Sequence, residues 1–351
     1  MTRPAKYRRR VDSGDSLLLR SPDAVLAALP YLLGFTPRES AVLLWIRRHR
    51  ILLTQRVDLP AAGVEWSSWL DTVWSHQASH QADDLVVVLA TSRTDAGAVA
   101  EALVARADDT DVPVRDVLRV ADGRWWSLLC EDGSCCPPHG RAIDADIRAA
   151  VAAEFTVMGV APMQDRAELV RTLDADADLV LRRRALTEQA AAELPDDGGD
   201  REPWREACLS LALKVLEVER APSDVDVPRL VVALSDVRVR DTLLWECARA
   251  DAAELRSALD VLSDAVRGAP DGRVAPAATA CAAVAWLLGD GARSLIAVER
   301  ALNDDPQYSL ALLILQSLQA GLPPDTWREA LAGVTREECR FGVGRRAGGS
   351  A

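Results

Sequence analysis

Leu85-Val86-Val87-Val88-Leu89-Ala90-Thr91-Ser92-Arg93-Thr94-Asp95-Ala96-Gly97 is the stretch on which the fold turns. Six apolar residues without alternation are the mark of a strand covered on both faces. Thr94 or Asp95 then stands where a helix N-cap is needed, and Val99, Leu103 and Val104 continue at helical spacing. The Ser, Thr and Asp of the connecting loop are explained by capping. A strand end leading into a helix N-terminus is also a place where α/β proteins bind anions.

Upstream, Ser21-Pro22-Asp23 followed by Ala24, Val25, Ala28 and Leu29 reads as a capped helix with proline in its first turn, stopped by Gly34 and Pro37. Residues 41–46 and 51–57 form two apolar runs separated by Arg47, Arg48, His49 and Arg50, a hairpin pattern. Trp66, Trp69, Leu70, Val73 and Trp74 place an aromatic-faced helix over about residues 65–79. Downstream, residues 114–120 and 125–129 are strands joined at Asp122-Gly123, a favoured hairpin turn. Together these predict a mixed sheet of about five strands with helices packed on it, an α+β or α/β arrangement.

Beyond residue 140 the β-branched runs give way to Ala, Leu, Arg and Glu, and the rest reads as helices. Expected segments are 141–154, 163–193, 203–219, 228–250, 252–267, 276–288, 292–303, 307–320 and 325–333, with a break at residues 195–200. Ala297, Arg300, Ala301, Leu302, Asp305, Pro306 and Tyr308 resemble the second helix and turn of a tetratricopeptide repeat, over one repeat only; an ordinary helical bundle is the equal alternative. The expected division is a basic arm over 1–15, an α/β domain over 16–140, an all-α helical domain over 141–335 and a disordered tail over 336–351.

The chain has 351 residues, 49% hydrophobic and 27% charged, which suits an ordered two-domain protein. Its net charge of −12 opposes nucleic-acid binding over most of the surface. The exception is a basic cluster at Arg3, Lys6, Arg8, Arg9 and Arg10. Arg20 and Asp23 interrupt the first apolar stretch, so no signal peptide is expected, and the longest uncharged run, 274–289, contains Pro276 and falls short of the roughly 20 apolar residues of a membrane span. Seven cysteines, an odd number, fit a reducing compartment, and a cytoplasmic location is expected.

The most chemically dense segment runs from Arg124 to Gly140 and holds Cys130, Cys135, Cys136 and His139. Thiolate and imidazole are the ligands zinc prefers, although the spacing is not that of a standard finger. Adjacent side chains at 135 and 136 tend to diverge, which would leave Cys130, one of the pair and His139 as ligands. Two other readings stand beside the metal: a reversible disulfide from Cys130 to Cys135 or Cys136, and a structural role for buried thiols stiffened by Pro137-Pro138. His76 and His80 share a helix face without a further ligand and read as solvated histidines. Arg56, Asp58 and Arg124 are polar groups at strand ends whose convergence spacing cannot decide.

There is no phosphate-cradling Gly-x-x-x-x-Gly-Lys-Ser/Thr, no His-Glu-x-x-His and no Gly-x-Ser-x-Gly. Asp174, Asp176 and Asp178 open like a calcium loop but lack its glycine and final glutamate.

Ser21-Pro22-Asp23, the run Pro30-Tyr31-Leu32-Leu33-Gly34-Phe35-Thr36-Pro37-Arg38-Glu39-Ser40, Arg56-Val57-Asp58-Leu59-Pro60 and the Arg124 to Pro138 block together resemble the bacterial family of domain of unknown function 4192, over about residues 16–327. The resemblance implies no activity. It implies Cys130, Cys135 and Cys136 as the family-like thiols, with His139 standing where the family carries an acidic residue, so a metal would need a more distant ligand such as Cys208, Cys247 or Cys281. The expectation is a non-enzymatic interaction or regulatory protein with a protein partner on its helical half. The alternative is a redox or metal-site enzyme acting at the cysteine loop, beside Arg124 and Asp58.

Overall fold

The computed structural model describes residues 7–8, 18–19, 21–61, 66–75, 81–195, 200–218 and 223–342. The chain divides into two compact units, the first running to Glu168 and taking in 319–322, the second formed by the remaining residues from Leu169 onward.

The first unit is built on a mixed sheet in the order β2-β1-β4-β3-β5-β6-β7-β8. Its strands are β1 (Tyr7–Arg8), β2 (Leu18–Leu19), β3 (Ser40–Arg47), β4 (Arg50–Asp58), β5 (Asp84–Ala90), β6 (Val114–Ala121), β7 (Arg124–Ser127) and β8 (Arg141–Ala142). The five expected strands are β3 to β7; β1, β2 and β8 are two-residue additions at the edges. Every residue of β5 is buried. It pairs antiparallel with β3 and parallel with β6, so its uninterrupted apolar run is satisfied on both faces and along both edges. Ala41, Leu43 and Trp45 of β3 and Leu85, Val87 and Leu89 of β5 form one face. That face packs on Val99, Ala100 and Leu103 of helix Ala96–Asp108 and on Val73 and Trp74 of helix Ser67–Trp74. Trp45 and Trp74 meet edge to face at 5.4 Å. The aromatic helix is thus shorter than the expected 65–79, and His76 and His80 lie outside the described residues.

Helix Pro22–Leu33 is capped by Ser21, whose Oγ accepts from the N–H of Ala24 at 3.2 Å, and ends at Gly34 with φ 79°, a left-handed stop that glycine adopts without strain. Tyr31 stacks on Phe155 of helix Ala145–Val157 at 4.6 Å, and Phe35 bridges to Met163. These contacts carry the α/β unit past residue 140, where the composition changes.

The helical unit is centred on Val274–Leu287, all of whose residues are buried. A helix apolar on every side belongs inside a bundle. It packs between Ala252–Gly268 and Gly291–Asp304. Small residues make the close approach: Ala278, Ala282, Ala297 and Ala301 are fully buried, and the Ser294 hydroxyl donates to the Ala282 carbonyl at 2.8 Å. No described helix is long and apolar enough to cross a membrane.

Two expected long helices are broken, each at an aspartate. The 163–193 segment is Arg166–Arg171 and Ala177–Ala192, with the Asp176 carboxylate accepting from Leu179 N–H at 3.1 Å. The 228–250 segment is Asp226–Ala233 and Val237–Cys247, with Asp236 capping Arg238 and Val239. A carboxylate that can satisfy free N–H groups starts a new helix even where the apolar periodicity runs through. The expected tail from 336 begins with one more helix, Arg336–Phe341, whose capping box joins Thr335 and Glu338.

Asp304 accepts from the N–H groups of Gly272, Val274 and Ala275 at 2.6, 2.9 and 2.9 Å, holding the start of the central helix. Asp304→Ala is expected to destabilise the chain by roughly 1–2 kcal/mol in urea unfolding, as other lost helix caps do. An unchanged midpoint would remove Asp304 from this role.

Candidate metal centre

β7 pairs with β6 so that Trp125 faces Val120 and Ser127 faces Leu118, the hairpin turning at Asp122 and Gly123 with φ 50° and 72°. The chain leaves β7, forms the cysteine loop and returns to pair β8 with Trp125 and Arg124. Both ends of the loop are therefore tied to one strand.

Inside the loop, Asp132-Gly133-Ser134 folds an Asx-type turn: Asp132 Oδ1 accepts from the backbone N–H and the hydroxyl of Ser134 at 2.8 and 2.7 Å. These bonds hold the Asp132 carboxyl below the usual carboxylate range. The Asp132 carbonyl then accepts from the N–H groups of both Cys135 and Cys136, at 3.0 and 2.7 Å. Adjacent side chains in such a tight turn are separated by much less than the half-turn of a strand. The sulfurs of Cys130, Cys135 and Cys136 consequently all lie within 4.8 Å of one another. This corrects the expectation that Cys135 and Cys136 diverge.

His139 is exposed and stands outside that group. Among the described residues no carboxylate joins it either. Cys208, Cys247 and Cys281 belong to the helical unit. Cys247 and Cys281 are fully buried there, and burial pushes the thiols up to about 12 and about 11; Cys208, half-buried, is pushed up to about 11 by the same cause. Cys281 lies against the Ser263 hydroxyl at 3.8 Å. Cys247 and Cys281 are core thiols, and Cys208 lies at the edge of the core.

In the triad Cys135 is exposed, whereas Cys130 and Cys136 are half-buried. Desolvation, followed by a hydrogen bond with Cys130, pushes the Cys136 thiol up to about 11. That is the opposite of an activated nucleophile, whose thiol is lowered by cationic neighbours.

The support around the triad was not visible in its spacing. Trp126 Nε1 donates to the Pro138 carbonyl at 3.1 Å, and Arg119 stacks over the Trp126 ring at 5.1 Å while donating to the carbonyls of Thr91 and Ser92. Arg124 donates to the Gly140 carbonyl at 2.8 Å, and Arg141 to that of Cys135 at 3.2 Å. On the inner side, the Ser127 hydroxyl donates to Asp116 at 2.6 Å, and burial raises the Asp116 carboxyl above its ordinary range. The Asp-Gly-Ser turn signature in the sequence was the one local signal for this framework.

Arg124 thus joins the loop, but Asp58 does not. It pairs with Arg56 at 2.6 Å on β4, and three strands separate β4 from β7. The 91–97 loop also differs from expectation. Asp95 sits at the N-cap position without a capping bond, because its carboxylate is held in a two-pronged pair with Arg93, which also donates to the Pro60 carbonyl at 2.6 Å. The Thr91 hydroxyl donates to Glu39 at 2.8 Å. Family-like residues Glu39 and Pro60 thereby serve as a clip between strand ends.

Two outcomes follow for the loop. A methyl group at Gly140, which has φ 70°, would meet Trp126 ring carbons at 2.5 and 2.7 Å. Gly140→Ala is expected to cost roughly 1–3 kcal/mol by denaturant unfolding and to speed alkylation of the triad; wild-type stability would show that Trp126 moves freely. With metal-free wild-type protein, a limiting amount of iodoacetamide is expected to label Cys135 before Cys136 by peptide mass spectrometry, because Cys135 is exposed and burial raises the Cys136 thiol. Preferential labelling of Cys136 would contradict the geometry.

No curated protein and no solved structure matches this chain. The family model described as a domain of unknown function (DUF4192) matches residues 22–325, both units included, and the chain belongs to that family.

Proposed function

We propose that this chain is a bacterial cytoplasmic interaction or regulatory protein whose α/β unit holds a zinc ion through Cys130, Cys135 and Cys136. The observation that carries the reading is the approach of the three sulfurs to within 4.8 Å. Sulfurs bound to one zinc at about 2.3 Å lie about 3.8 Å apart, so modest side-chain rotation closes the triad on an ion. Thiolate is the donor that selects soft or borderline ions such as zinc over magnesium or calcium. The seven free cysteines suit a reducing compartment.

A role in binding rather than catalysis is supported by the surroundings. The Asp132 carboxylate is committed to Ser134, and Asp58 is paired elsewhere in the sheet. The helical unit supplies the partner surface in this reading. Leu181, Val225 and Leu313 stand 74, 54 and 52% exposed on it, apolar side chains available to a protein partner. A thiol redox role is the second reading, favoured by the exposure of Cys135 beside two other sulfurs.

Protein purified anaerobically without chelators is expected to carry about one zinc per chain with its triad protected from alkylation, and Cys135→Ser to hold it more weakly, releasing it to a chelator at lower concentration than wild type. Lowering the pH weakens binding, since protons compete for the thiolates; each thiol proton displaced contributes about a tenfold loss per pH unit. Absence of metal with readily oxidised thiols would shift the assignment to redox chemistry, and absence of metal with inert thiols would leave a structural loop.

A further inference from the structure

A zinc ion at this loop would have three protein sulfurs and a preference for four ligands. The neighbouring donors of the loop are otherwise placed. His139 and Glu131 are exposed and lie outside the sulfur group, and Asp132 Oδ1 is held by two bonds from Ser134. Cys130 and Cys136 are half-buried and Cys135 is exposed, so a donor from outside the chain would reach the sulfur group from the Cys135 side. Closed four-ligand sites are structural, whereas three protein ligands leave a place for an exchangeable donor.

Resting on the zinc reading, we infer that the fourth position of the Cys130, Cys135 and Cys136 centre is kept for a ligand from outside the chain, a low-molecular-weight thiol bound as thiolate. An all-sulfur set selects a thiophilic ion, and such an ion takes a further thiolate as donor. Cys135 is exposed, whereas Trp126 and Pro137 are half-buried, so a small molecule approaches the sulfurs from the Cys135 side. Three thiolates on a dication leave one negative charge, and a fourth makes two. Arg141, donating to the Cys135 carbonyl at 3.2 Å, sets a guanidinium on that side to offset it. On binding, the thiol gives its proton to solvent and its sulfur replaces a metal-bound water. No electron is transferred and the protein thiolates stay bound.

The test uses the full chain loaded with cobalt(II), whose sulfur charge-transfer absorption counts thiolates, and 2-mercaptoethanol as the probe. In wild type and in His139→Ala the band should grow by about one third, three sulfurs becoming four, and saturate at one equivalent. Cobalt content after dialysis should stay at one per chain. Cobalt bound with a band indifferent to thiol would overturn the inference while leaving the metal centre standing, since a protein donor would then close it. Thiol uptake confined to His139→Ala would identify that donor as His139. Loss of cobalt on adding thiol would also overturn it, the ligand competing with the centre instead of joining it. A chain that binds no cobalt removes the zinc reading itself.

Discussion

Burial of β5 on both faces is the constraint from which the α/β unit follows. Leu85 to Ala90 can be covered only if β3 and β6 flank it and helices lie on either side of it, and the register with both neighbours is then fixed. Parallel pairing with β6 demands the crossover that helix Ala96–Asp108 provides. The tight turn after β6 then returns β7 antiparallel, and the cysteine loop is the next segment of chain. Its position is thus inherited from a strand that contributes no chemistry.

The loop itself is shaped by polar bonds rather than burial. A carbonyl at Asp132 gathers two successive N–H groups, and an indole at Trp126 is pinned between Gly140, the Pro138 carbonyl and the Arg119 guanidinium. Three thiols are aimed at one point as a result, at a place where the sheet gives one covered side and solvent gives the other. Burial favours the neutral thiol at Cys136, so a thiophilic cation bound in the proposed centre would have to displace that proton.

Much of this was legible in the residues, for reasons that differ by element. The five long strands follow from uninterrupted or paired apolar runs, and the Asp122-Gly123 turn from its sequence. The edge strands were not legible, since pairs such as Arg141–Ala142 carry no pattern and exist because a loop returns beside β7. Helix number is not legible from periodicity at Asp176 and Asp236, where apolar spacing continues but a carboxylate captures free N–H groups. The extent of the first unit was hidden because the contacts of Tyr31 with Phe155 and Phe35 with Met163 join residues far apart in sequence. Within the site, the thiols could be read from the segment, but the divergence expected of Cys135 and Cys136 assumed extended backbone. The turn at Asp132 reverses that expectation.

The central claim is that three sulfurs of one loop bind one metal ion, and X-ray absorption on the zinc-loaded chain tests it most directly. At least three sulfur neighbours are expected at about 2.3 Å from each zinc, reduced by one in Cys135→Ser. A zinc surrounded by nitrogen and oxygen, or a first shell unchanged in that variant, would contradict it.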